Sequence, residues 1–193
     1  MRQRLSIKRL RGSRGVTLIE LLIVLAIIGI LAGIAIPKID ITRYRVDGAM
    51  QNAGMILLGA QRLAATRQFD VIVSFNLAAN TIRVHQDAND NGVVDGNEIA
   101  TQRELGDLVV FGLAGAPPHA VGAAAVTFTQ MRGGFPSVTF HRNGSASEYG
   151  GVYLTSRRGV LAGLATDTRL LEVERSTGRT SWYRYHNGWV RGF

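Results

Sequence analysis

Asp87, Asn89, Asn91, Gly92 and Glu98 fit the pattern D-x-[DN]-x-[DN]-G-x5-E at every specified position, and Asp95 adds a further oxygen group within its x5 stretch. A loop of this kind could hold calcium through those side chains and the Val93 carbonyl, with Asp95 acting through water and Gly92 permitting the sharp turn. Helices normally flank such a loop, whereas Ile82-Arg83-Val84 and Ile99-Ala100-Thr101 read as strands. The alternative is a polar hairpin loop whose Asx and Gly residues simply make turns.

A second set lies near the C-terminus, where Arg169, Arg175, Arg179, Arg184 and Arg191 are interleaved with Trp182, Tyr183, Tyr185 and Trp189. Arginines neutralise phosphates and aromatic rings stack on bases, so Arg179, Arg184 and Trp182 are candidates for salt-dependent DNA binding. Period-two alternation puts Trp182, Arg184 and His186 on one face and Tyr183 and Tyr185 on the other, which also suits an ordinary strand with one solvated side. Catalysis has little support. His85, His119, His141 and His186 are widely spaced, and Ser145 and Ser147 lack a nucleophile-elbow context. An enzyme is not expected.

Glu20 is the third chemical feature. From Val16 to Ile36 there are 21 residues, and Glu20 is the only charged one. The run is long enough for a hydrocarbon core that needs about 20 apolar residues. A carboxylate in such a helix costs on the order of 3 kcal/mol and implies a partner. No second charge exists on the segment, so the partner must come from elsewhere; an α-amino terminus created just before Val16 would supply one. Gly29 and Gly33 form a G-x-x-x-G pair that lets another helix approach closely.

The first 15 residues hold six basic side chains and no acid, so this flank is expected to stay cytoplasmic. An ordinary secretory signal is the competing reading, but its apolar core is typically about 7–15 residues. The string from Arg14-Gly15 through Val16-Thr17-Leu18-Ile19-Glu20 to Ala32, followed by Pro37, resembles the class III signal of type IV pilins and type II secretion pseudopilins. The resemblance implies cleavage after Gly15 by the prepilin peptidase, N-methylation of Val16, and pairing of Glu20 with the terminal amine of a neighbouring subunit during assembly. Val16 stands where the family usually has phenylalanine. Ser137-Val138-Thr139-Phe140-His141-Arg142-Asn143-Gly144-Ser145, Gly151-Val152-Tyr153-Leu154 and Ser176-Thr177-Gly178-Arg179 resemble the GspH and FimT branch. That branch implies a minor pseudopilin of the type II secretion system or a DNA-binding minor pilin. Partners would be other pilins or pseudopilins, and the site an inner membrane with the C-terminal domain in the periplasm. FimT-like proteins use a Gly-Arg-x-Arg motif for DNA; here Gly178 and Arg179 are present but Ser181 replaces the second arginine.

The formal charge of +8 and the pI near 10.7 would suggest nucleic acid if spread evenly. Without the leader, however, 16 basic side chains face 14 acidic ones. The C-terminal third keeps the basic excess. There is no cysteine, so neither a disulfide framework nor thiol chemistry is available.

The elements that must position these groups follow from periodicity. Val46, Ala49, Met50, Ala53, Ile56, Leu57, Ala60, Leu63 and Ala64 recur at three and four, which predicts an amphipathic helix over 37–68 lying on a sheet. Gly48, Gly54 and Gly59 weaken that helix, so close packing must order it. From Asp70 on, nine strands are predicted: 71–75, 81–85, 99–104, 108–111, 125–129, 137–141, 151–156, 169–175 and 182–185. Residues 112–124 read as a mobile loop. The expectation is an α+β chain: a basic leader over 1–15, a spanning helix over 16–36, the amphipathic helix, and an antiparallel β domain over 69–193.

Overall fold

A computed structural model describes residues 15–35 and 41–192. The leader and Pro37 lie outside the described residues. The chain divides into two units, 1–40 and 41–193.

In the first unit, helix α1 runs from Leu18 to Ala35. Its apolar side chains surround the axis without a polar face and are exposed within this unit, for example Leu18 at 76% and Leu25 at 61%. A helix apolar on every side needs an apolar medium or other helices around it. The eighteen described helical residues rise about 27 Å. Among the described residues no helix is long and apolar enough to cross a membrane.

The second unit is an α+β domain built on helix α2, Ile41–Arg67. Its buried positions are Val46, Ala49, Met50, Ala53, Gly54, Leu57, Ala60 and Ala64. These are the three-and-four spacings of the predicted stripe, with Ile56 and Leu63 half-buried at its margins. Leu57 is wholly buried, which stabilises the fold by about 2 kcal/mol. The helix stops at Gln68, whose φ of 61° turns the chain left-handed. There the Gln68 N–H donates to the Ala64 carbonyl at 3.0 Å and the side-chain amide to the Ala65 carbonyl at 2.6 Å.

Two antiparallel five-stranded sheets receive this helix. The strands are β1 (Asp70–Asn76), β2 (Thr81–Asp87), β3 (Ala100–Glu104), β4 (Val109–Phe111), β5 (Met131–Arg132), β6 (Phe135–Phe140), β7 (Gly150–Ser156), β8 (Arg169–Val173), β9 (Thr180–Tyr185) and β10 (Trp189–Arg191). The first sheet has the order β3-β2-β1-β6-β5 and the second β10-β9-β8-β7-β4. Helix α2 packs on strands of both, so one core joins Leu57 to Val73 and Phe140 of the first sheet and to Leu154 and Leu171 of the second. A short helix, α3 (Arg157–Ala162), follows β7 and is capped by Ser156, whose hydroxyl accepts the Gly159 N–H at 2.7 Å.

The fold departs from the expected elements at definable places. Residues 125–129 form no strand; only Val126 bridges to Val152. Phe128 there leaves the ladder to stack on Phe75 at 5.7 Å between ring centres. The segment 112–124 is anchored rather than loose. Its Ala114 and Ala116 are buried, the His119 N–H donates to the Tyr153 hydroxyl at 2.8 Å, and that hydroxyl donates to the Gly122 carbonyl at 2.8 Å. β5, β10 and α3 went unpredicted.

Candidate functional site

Three places carry the residues with chemical potential. At the N-terminus Gly15 is exposed and Val16 is 66% exposed, ahead of the first helical turn. Thr17 caps α1: its carbonyl accepts the Leu21 N–H at 3.2 Å and its hydroxyl accepts the Glu20 N–H at 3.3 Å. Thr17-x-x-Glu20 is the spacing of a capping box, a signal in the sequence that the reading of Glu20 as a pure charge partner missed. Glu20 lies in the first turn, where unpaired N–H groups and the helix dipole favour a carboxylate. The helix contains no basic side chain to neutralise it. Gly29 and Gly33 have nothing within 4 Å of where a Cβ would stand, so both are open for another helix to approach.

The second place is the loop after β2. Asp87 is buried and accepts backbone N–H groups from Asn91 at 3.0 Å and Gly92 at 2.7 Å. Asn89 and Asn91 donate their amides to Asp95 at 3.1 and 2.9 Å, and the Asn91 hydrogen bond, then that of Asn89, holds the Asp95 carboxyl below its usual range. The Asn91 side-chain oxygen accepts the Val93 N–H at 2.7 Å. Glu98, the last member of the pattern, accepts from the N–H groups of Ala88 at 2.8 Å and Asn89 at 3.3 Å, and its other oxygen meets His85 Nε2 at 2.6 Å.

The loop thus brings the pattern residues and Asp95 together, but their carboxylates are engaged by protein donors. Among the described residues no group of three or more His, Cys, Asp or Glu side chains is placed to hold a metal ion. Arg132 of β5 donates to the Gly92 carbonyl at 2.6 Å, so the loop that leaves β2 reaches across the first sheet to its far edge. His85, wholly buried beneath it, was read from sequence as an isolated histidine. Its partnership with Glu98, 13 positions on, had no signal in the spacing.

The third place is β9. Trp182 packs on α2, where its ring lies 2.7 Å from the position a Cβ on Gly54 would take. It is half-buried, with its ring turned toward α2. Arg184 lies on the same side of β9 and lines a cleft of about 300 Å³ with Arg43, Asp47 and Arg169. Arg179 is exposed in the turn before β9, five residues or about 17 Å along an extended strand from Arg184. Arg179 and an edge of Trp182 line a second cleft with Arg191, whereas Arg184 belongs to the cleft of Arg43 and Arg169, so the three candidate DNA residues are divided between two places. The opposite face of this sheet carries the clustered rings instead: Trp189 lies 5.7 Å from Tyr153 and 5.5 Å from Tyr185, and His119 lies 4.6 Å from Tyr183.

Residues 10–36 match the prokaryotic N-terminal methylation motif, the mark of a type IV prepilin-like N-terminus. No curated protein and no solved structure matches the chain.

Proposed function

We propose that this chain is a minor pseudopilin, a membrane-anchored subunit that leaves the bilayer to join the short filament of a type II secretion system. The observation that carries the reading is the methylation motif over residues 10–36, set on a helix whose only acid is Glu20 in its first turn. Prepilin peptidase would cut after Gly15 and leave a methylated amine on Val16. That amine, presented by one subunit, neutralises the Glu20 carboxylate of the next, which removes the cost of a lone acid among apolar helices. The open positions at Gly29 and Gly33 suit close helix approach in the same assembly. The domain has no catalytic part in this reading; it is the filament's exposed surface.

Glu20→Ala tests the assembly step. Processing should remain intact while incorporation into filaments falls, and full recruitment of the variant would refute the role given to Glu20. The competing reading is a FimT-like minor pilin that binds DNA for uptake. The separation of Arg184 from Arg179, and Ser181 in place of a second arginine, weigh against it.

A further inference from the structure

The end of the domain at which α2 begins carries arginines beside exposed apolar side chains. Arg43 of α2 meets Asp167 at 3.8 Å and donates to the Thr166 hydroxyl at 3.3 Å. Asp167 in turn accepts from the Ser156 hydroxyl that caps α3. Arg45 of α2 and Arg157 of α3 line one cleft together with Leu108, whose carbonyl accepts the Arg157 N–H at 2.7 Å. α3 is thereby fixed beside the first two turns of α2.

What α3 presents there is unusual for a water-facing helix. Leu161 is 84% exposed, the highest value for any large apolar side chain among the described residues, and Val160 beside it is 51% exposed. The only charges on α3 are Arg157 and Arg158. Tyr44, on the first turn of α2, is 72% exposed. The nearby acids have arginines beside them: Asp167 faces Arg43, Asp47 faces Arg169, and Glu104 and Asp107 share the cleft of Arg45 and Arg157. Exposed aliphatic side chains next to arginines and a tyrosine make the composition of a membrane-interface anchor, in which apolar groups enter the headgroup boundary and guanidinium groups meet lipid phosphates.

Covalent connection limits what this end can meet. Only five residues, 36–40, lie between α1 and α2 in the sequence. If α1 is the anchor, the start of α2 cannot leave the vicinity of the bilayer. We propose that α3 and the first turn of α2 form a docking surface for anionic lipid, which seats the domain on the membrane before the subunit is drawn into a filament. The proposal rests on the reading of α1 as a membrane anchor.

The chain has no cysteine, so a single introduced thiol can carry a polarity-sensitive dye without further changes. The full chain, labelled at Leu161→Cys, is reconstituted in phosphatidylcholine vesicles with and without phosphatidylglycerol. A second label at Thr66→Cys, exposed near the other end of α2 and about 37 Å along the helix, serves as reference. In anionic vesicles the dye at 161 should shift to the blue and be quenched by headgroup-proximal spin-labelled lipid, while the dye at 66 stays water-like. Replacing Arg157→Gln and Arg158→Gln should lower the docked-to-free ratio by about fivefold per arginine.

A dye at 161 that remains water-like on chains that float with the vesicles overturns the lipid surface and leaves the anchor intact. Chains that fail to float overturn both. A blue shift that needs no anionic lipid and grows with protein density identifies a second copy as the occupant, and overturns the proposal too.

Discussion

A Cβ placed on Gly54 would stand 2.7 Å from the Trp182 ring, closer than real Cβ contacts allow. Helix α2 and strand β9 are therefore matched by a missing side chain on one and a large one on the other. Gly54→Ala forces the ring to move within the core, at a cost of about 1–3 kcal/mol that exceeds the helix-propensity gain of about 1 kcal/mol. Gly59 on the same helix has nothing within 4 Å, so Gly59→Ala collects the propensity gain alone. Urea unfolding should rank the variants Gly59→Ala above the natural chain above Gly54→Ala. The reverse order would remove the Trp182 contact from the account.

The loop over 87–98 is held by its own hydrogen bonds, with Glu98 engaged by His85, Ala88 and Asn89. It should keep its shape without a cation. Chelator should leave the thermal midpoint unchanged, and millimolar calcium should give no heat in calorimetry. A calcium-dependent rise in the midpoint that Asp87→Ala abolishes would instead make the loop a calcium site of the kind its residue pattern describes.

Tyr149 gives an alkaline signature. Tyr149 is 45% exposed, and the partial removal of its hydroxyl from water first, then the neighbouring Glu172, push that hydroxyl from the usual 10.0 to about 12. Because the folded value lies above the unfolded one, its contribution to stability is complete below pH 10.0 and is lost as pH rises toward about 12. Thermal midpoints across that window should fall less steeply in Tyr149→Phe. An unchanged slope would show that the Tyr149 hydroxyl, 3.2 Å from Glu172, is not the group that titrates.

The β9 region should not behave as one nucleic-acid surface. In gel shifts repeated across salt concentrations, Arg179→Ala and Arg184→Ala should each leave any weak DNA retention within about twofold, as for scattered charges on a surface. A loss of tenfold or more from Arg179→Ala alone would favour the DNA-uptake reading.

Much of the scaffold was legible because its signals are local. The stripe from Val46 to Ala64 named the buried face of α2, since burial of a helix repeats every three or four residues. Eight of the nine predicted strands are present, often with one or two residues more or fewer at an end. What stayed hidden depends on contacts across the fold. Alternation paired Trp182 with Arg184 on one face, but only Gly54 on a distant helix decides that this face is inward. The 125–129 segment has strand composition, yet Phe128 is taken by Phe75 and only Val126 bridges to β7. α3 has six residues, too few for a period to show, and its capping serine looked like the end of a strand. At the candidate sites, residue types were readable at Glu20 and in the Asp87 loop. The cap that Thr17 provides for the Glu20 N–H and the contact of His85 with Glu98 had no signal in residue spacing read for charge alone.

The mass of the mature N-terminus tests the central claim most directly. Purified from cells with an intact prepilin peptidase, the chain should begin at Val16 and carry one methyl group on its α-amine. A chain that retains Met1, or one trimmed beyond Pro37, would contradict the filament-subunit account.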